Sequence, residues 1–254
     1  MFRILLPILF ISAAFAQDRG PDFSRFEITG SYWPVHTSGS IQANGTPVDL
    51  QSDLGVTQGT PTFTGKLDLR LGARRRNHVK LEGTPFRLDG SMNLSRSITY
   101  QGQTYSIDDH VTSKADLDYF YAGYQFDAIS VSAAHFGIEA GGAYLNATGA
   151  ITSQITGVTA SRSETVGLPL AGLEFRAFPV HGKFNVEINA DVKGMDLGSY
   201  GHYVQATANV GIGHGPLLIE GGYRWVNADI HDSSGVDAVA PRFRGPLVSL
   251  ELRL

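Results

Sequence analysis

The sequence predicts an all-β fold: a closed, antiparallel, up-and-down transmembrane β-barrel of about ten strands (eight to twelve), preceded by a cleaved signal peptide. Three observations carry this. Segments of roughly nine to eleven residues alternate apolar and polar positions, the length a tilted membrane strand needs. The connections between them alternate long and short. Aromatic residues gather near the segment ends on the apolar face. From Phe184 to Lys193 the alternation is complete: Phe184, Val186, Ile188, Ala190 and Val192 against Asn185, Glu187, Asn189, Asp191 and Lys193. Successive strand side chains point to opposite faces, so this strand has one greasy and one hydrophilic face.

Ten such segments follow in order. Phe26 to Pro34 sets Phe26, Ile28 and Tyr32 against Glu27, Thr29 and Ser31. Phe63 to Leu71 opposes Phe63, Leu67 and Leu69 to Lys66, Asp68 and Arg70, and His78 to Pro85 opposes Val79 and Leu81 to Lys80 and Glu82. Val111 to Gln125 carries Lys114, Asp116 and Asp118 against Val111, Ala115 and Leu117, then turns aromatic on both faces. Val131 to Ala147 puts Phe136, Ile138 and Tyr144 opposite Glu139; Val166 to Phe178 ends with Leu173 and Phe175 against Glu174 and Arg176. After the stretch at Phe184 come Tyr203 to Val210, Leu217 to Trp225 with Glu220 and Arg224 on its polar face, and Val248 to Leu254 with Glu251 and Arg253.

Short turns are expected at Ala73 to Asn77, Phe126 to Ser130, Pro179 to Lys183 and Gly211 to Pro216. The intervening gaps are long, except Gly194 to His202. Outer-membrane barrels have short periplasmic turns and longer external loops, and both termini on the turn side require an even strand number. Proline cannot donate to a ladder. Pro34, Pro61, Pro85, Pro169, Pro241 and Pro246 accordingly fall towards the long-loop end of their segments.

Composition agrees. Charged residues are 17% of the 254, below the ~25% of soluble domains, while dyad alternation keeps mean hydropathy near neutral at -0.06. Beyond the N-terminus there is no apolar run of the ~20 residues that a membrane helix needs. A net charge of -4 gives no reason to expect nucleic acid. Without cysteine there is neither a disulfide framework nor a thiolate metal site. Arg3, the apolar Ile4 to Phe15 and the Ala14-Phe15-Ala16 site read as a secretory signal cleaved after Ala16. Residues 1–16 are then the signal peptide, and 17–254 form one barrel domain.

Gly221-Gly222-Tyr223-Arg224-Trp225, a polar loop, and Phe243-Arg244-Gly245-Pro246 running into Leu250-Glu251-Leu252-Arg253-Leu254 resemble the final hairpin of small bacterial outer-membrane β-barrel proteins. Val48-Asp49-Leu50 with Asp53-Leu54-Gly55 is similar to the same family (the outer membrane protein beta-barrel domain). The resemblance implies a fold and a place in the bacterial outer membrane with periplasmic termini, not an activity. It implies as partners outer-membrane lipids, lipopolysaccharide and, during biogenesis, the barrel-assembly machinery, for a monomeric chain. Leu254 departs from the terminal aromatic residue that this machinery reads.

Polar faces turned inward give a lumen charge network of Glu27, Lys66, Asp68, Arg70, Lys80, Glu82, Lys114, Asp116, Asp118, Glu139, Glu174, Arg176, Glu187, Asp191, Lys193, Glu220, Arg224, Glu251 and Arg253. Buried charges must pair, and both signs are present. Tyr32, Tyr119, Tyr121, Tyr144, Tyr223 and Trp225 are the expected membrane girdle. The histidines are expected to be mostly solvated. These features read as a porin-like barrel with a structural, interaction or narrow-channel role, not an enzyme, with no cofactor and no metal. The alternative is an outer-membrane barrel hydrolase, a protease or lipid A-modifying enzyme. It would use Asp108, Asp109, His110, His231 and Asp232 at the loop side, where no nucleophile motif accompanies them.

Overall fold

Period-two alternation becomes ladder pairing in the computed structural model, which describes residues 24–42, 46–56, 60–180, 182–231 and 237–254. The expected signal peptide lies outside them. Ten strands form the wall: β1 (Phe26–Gln42), β3 (Thr60–Leu71), β4 (Asn77–Asn93), β7 (His110–Val131), β8 (Ala134–Ser153), β9 (Thr159–Val180), β10 (Asn185–Asp196), β11 (Gly201–His214), β12 (Leu217–His231) and β13 (Ala238–Arg253). The first long connection holds the two-residue β2 (Val48–Asp49), and the second holds a hairpin of β5 (Ile98–Tyr100) and β6 (Gln103–Tyr105). Each wall strand pairs antiparallel with its neighbours in sequence, and β13 returns to β1. The seam runs from Glu27↔Arg253 to Gln42↔Ala238. Beyond it, the Leu254 amide donates to the Phe26 carbonyl at 2.8 Å. All ten expected strands are present, and the ring is closed.

Outward faces of the strands form an apolar belt in which Ile138, Leu173, Phe175, Ile188, Val210, Ile219 and Val248 are exposed. Most expected segments are the inner part of a longer strand, and β1, β3, β4, β9 and β13 continue through Pro34, Pro61, Pro85, Pro169 and Pro246 towards the loops. The strands β7, β8 and β9 have 22, 20 and 22 residues, about twice the 9–11 that cross a hydrocarbon core. Their far halves stand beyond the belt.

That extension corrects one expectation. Lys114, Asp116 and Asp118 share the outward parity of Phe120 and Tyr124 and are exposed, not luminal. Arg87 on β4 pairs with Asp116 at 3.6 Å and with Asp118 at 2.6 Å on this outer surface. Past the belt the outside of the wall meets water, so there the polar face turns out and the apolar face in. The turn expected at Phe126 to Ser130 is also strand. A bulge between Asp127 and Ile129 lets Asp127 point inward while Phe126 and Ile129 both stay on the belt.

The two long connections pack onto the loop end. Val48, Leu50, Leu54 and Val56 from the first bury against Leu94, Ile98 and Tyr105 from the second and against Val111 and Ile151 on β7 and β8. Val56 bridges to Gly90, where a Cβ would lie 2.2 Å from the Leu54 carbonyl oxygen, so only glycine fits. Asp53 accepts from Arg96 Nε at 3.1 Å, fastening one connection to the other.

Asp49 accepts from the Gln51 and Ser52 amides at 2.9 and 2.8 Å. Burial pushes its carboxyl up, but these amides, the Ser52 hydroxyl and the Arg96 charge outweigh that and hold it below its ordinary value. A depressed folded pKa adds stability above the unfolded value of about 3.9, lost as pH falls through the folded value. Amide exchange across 48–56 is therefore expected to accelerate, beyond its intrinsic pH dependence, below about pH 4. Unchanged protection at pH 3 would show that the turn does not depend on Asp49 ionisation.

The wall dips at β10 and β11, joined by a single 3-10 turn at Gly198–Tyr200. The last rung from β10 to β9 is Gly194↔Ala171, while β9 continues to Thr159 paired with β8 alone.

Candidate functional site

Inward side chains divide the lumen into two layers. In the half towards the short turns they are charged. Glu27 on β1 accepts from Arg70 Nη2 and from Arg176 Nη1, each at 2.9 Å, with Arg253 at 3.7 Å. Arg176 sits on β9, diametrically opposite β1 in the ring order, so this contact spans the whole bore. Arg176 also contacts Glu187 at 3.1 Å and Glu174 at 3.3 Å. Glu187 and Glu251 both hold Arg253.

One level further in, Lys80 bonds Glu174 and approaches Glu139 at 3.6 Å. Lys193 donates to Glu82 at 3.0 Å and approaches Glu139 at 3.7 Å; Arg224 bonds Glu82 as well. Lys66 on β3 faces Asp191 on the opposite strand β10 at 3.9 Å. Glu220 completes the lining of a polar cavity of about 80 Å³ among these groups, space for a few waters.

Sequence reasoning missed the lowest members. His78 and His135 are buried inside the turn end rather than solvated. His78 Nδ1 bonds Asp68 at 3.0 Å and its Nε2 bonds Asp127 at 3.0 Å. His78 shares the inward parity of Lys80 and Glu82, and that was the available signal.

Above the charges the inward face turns aromatic. Phe86 stacks on Phe243 with centroids 4.5 Å apart, and Trp33 meets Phe86 edge-on at 5.8 Å. Arg224 lies over the Trp33 ring at 4.9 Å, joining the layers. Tyr119 and Tyr121, expected in the girdle, are here too, at 4% and 1% exposure. On β7 both faces are aromatic, and Phe120 and Tyr124 are the outward set. Tyr119 stacks beside Tyr203, whose hydroxyl donates to Gln205 at 3.0 Å, while Lys193 sits 4.2 Å from the centre of the Tyr121 ring. The other girdle residues, Tyr32, Tyr144, Tyr223 and Trp225, are outward and exposed.

Over this aromatic floor is a chamber of about 290 Å³, walled by Leu88, Leu117, Leu145, Val166, Val226 and Ala228 and partly covered by Leu50 and Tyr100 from the connections. At its rim Arg162 holds Glu164 and, at 2.6 Å, Asp237.

Among the described residues, the loop-side Asp109, His110 and His231 each engage a different partner. Asp108 takes a left-handed turn conformation, with φ 66°. Asp109 is buried and accepts from Ser153 Oγ at 2.9 Å. His110 is held by Asn93 at 2.7 Å and Ser91 at 3.1 Å. His231, on β12, pairs with Asp229 at 3.1 Å. Asp232 lies outside the described residues. Among the described residues no cluster of three or more metal-ligating side chains occurs.

No protein-family model matches the chain, and no curated protein does. Solved structures do. The outer membrane protease OmpT from Escherichia coli matches with a TM-score of 0.56 at 9% identity, over 90% of this chain and 96% of that one. The transport unit of the autotransporter AIDA-I from Escherichia coli matches with a TM-score of 0.46 at 10% identity, over 97% and 93%. Ail, the attachment invasion locus protein of Yersinia pestis, matches with a TM-score of 0.38 at 13% identity, over 91% and 99%. At such identities the likeness is one of architecture. The chain has the fold of a bacterial outer-membrane β-barrel.

Proposed function

We propose that this chain is an integral, monomeric barrel of a bacterial outer membrane, with its termini periplasmic, and that it binds at its outer mouth instead of serving as an open pore. Lipids and lipopolysaccharide surround the apolar belt, and the barrel-assembly machinery inserts it. The observation that carries the reading is the pairing of opposite charges across the full bore, from Glu27 to Arg176 and from Lys66 to Asp191. Barrels of about eight strands are filled by their side chains, whereas 16 to 18 leave a channel. Ten lie near the filled end, and these paired groups reach across the bore. Binding is favoured over hydrolysis because Asp109, His110 and His231 are engaged with separate partners.

Purified protein is accordingly expected to conduct weakly or not at all in planar bilayers, far below a general porin. A large, stable, weakly selective conductance would overturn the closed lumen.

A further inference from the structure

We propose that the chamber above the aromatic floor is a binding site for a compact, uncharged hydrophobic molecule of one or two rings. The proposal rests on the mouth-binding reading above and names its ligand class.

Size comes first. An apolar cavity of roughly 150 Å³ takes up benzene, and small-molecule pockets begin near 300 Å³. At about 290 Å³ the chamber suits something larger than benzene and smaller than a long lipid chain. The space is kept open by small side chains: Ala115, Ala147 and Ala228 line it where larger apolar residues fill the layer below. Most of the lining of this chamber is apolar, so water standing in it is poorly satisfied. An apolar occupant would release that water.

Charge sets the second limit. The cations that touch the chamber are already matched: Arg162 by Glu164 and Asp237 at the rim, Arg224 by Glu82 at the floor. His231 at the rim pairs with Asp229. An anionic ligand entering here would lose its water and gain no free counter-ion, and the mostly apolar walls offer a charge of either sign little to replace that water. The aromatic faces of Phe86, Phe243, Tyr119 and Tyr203 instead offer stacking surface.

Naphthalene is the probe, with 2-naphthoate as its charged counterpart, and the full-length mature protein sits in lipid nanodiscs with empty discs as the partition control. Uptake is read by equilibrium dialysis, and location by ring-current shifts of labelled Leu88, Leu145 and Val226 methyls. Expected are saturable uptake of one naphthalene per barrel, shifts at those methyls, no naphthoate uptake beyond empty discs, and at least a tenfold loss in Ala228→Trp. Ala147→Trp is the second filling variant, and heat-modifiable gel mobility identifies those that fold. The proposal fails if naphthalene uptake matches that of a folded filled variant, or if naphthoate binds as well. Conductance of the same preparations separates the two readings. A silent barrel without uptake refutes the ligand class and leaves the closed lumen; a conducting barrel with saturable uptake does the reverse.

Discussion

Glu82→Ala is expected to destabilise the barrel by about 3–5 kcal/mol, the cost of leaving a buried charge without its partner. Glu82 is 3% exposed. It receives Lys193 Nζ at 3.0 Å, Arg224, and Gln205 Nε2 at 3.4 Å. After its removal Lys193 keeps Glu139, 3.7 Å away. Arg224 keeps the Thr64 hydroxyl at 3.2 Å and the Trp33 ring, neither of which carries a negative charge. Because a buried pair is often replaced by apolar residues at little cost, Glu82→Leu combined with Arg224→Met should recover more than half the loss. Urea titration of the barrel in lipid vesicles, followed by heat-modifiable mobility, measures both. A single-variant loss below about 1 kcal/mol, the scale of an exposed ion pair, would mean that water reaches and screens this layer.

Ile188→Lys should impair assembly by roughly 2–4 kcal/mol, the cost of a lysine on the lipid face near mid-membrane, while its neighbour Asn189→Lys should not. Ile188 is on the belt at 41% exposure. Asn189 points inward and donates to Glu174 Oε1 at 3.0 Å, so a lysine there gains a carboxylate within reach. Folding yields in lipid vesicles compare the two directly. Equal yields, or the reverse order, would invert the face assignment of β10.

The strands and their faces were legible because a single parity runs through each one, apart from the bulge near the end of β7. On β4, His78, Lys80, Glu82, Phe86 and Leu88 all point inward. The layering was not legible, for the same reason. Alternation tells which residues share a face but not what lies beyond that face. At Asp116 the polar side meets water outside the wall, and at Glu82 it meets other charges inside. A sequence that reads Lys114-Ala115-Asp116-Leu117 shows the same period in both settings. The chamber therefore surfaced only once strand length placed the far half of β7 past the belt. The loop core was hidden for a different reason: Val48, Leu54, Ile98 and Tyr105 come from elements of two or three residues or from turns, too short to show any period.

The seam adds a consequence for biogenesis. Glu27 and Arg253 face each other as the first rung between the opening and closing strands, and both belong to the charge network that crosses the bore. Contacts this distant in sequence form slowly. Until β13 docks, Glu27 lacks the nearby guanidinium of Arg253, and the sheet still has two open edges. Zipping the seam then removes the exposed edges and completes the internal charge balance in one event. A chain halted one strand short would be a gutter with a wet, charged interior. The same step that finishes the wall thus also delivers the last charged partner into the bore.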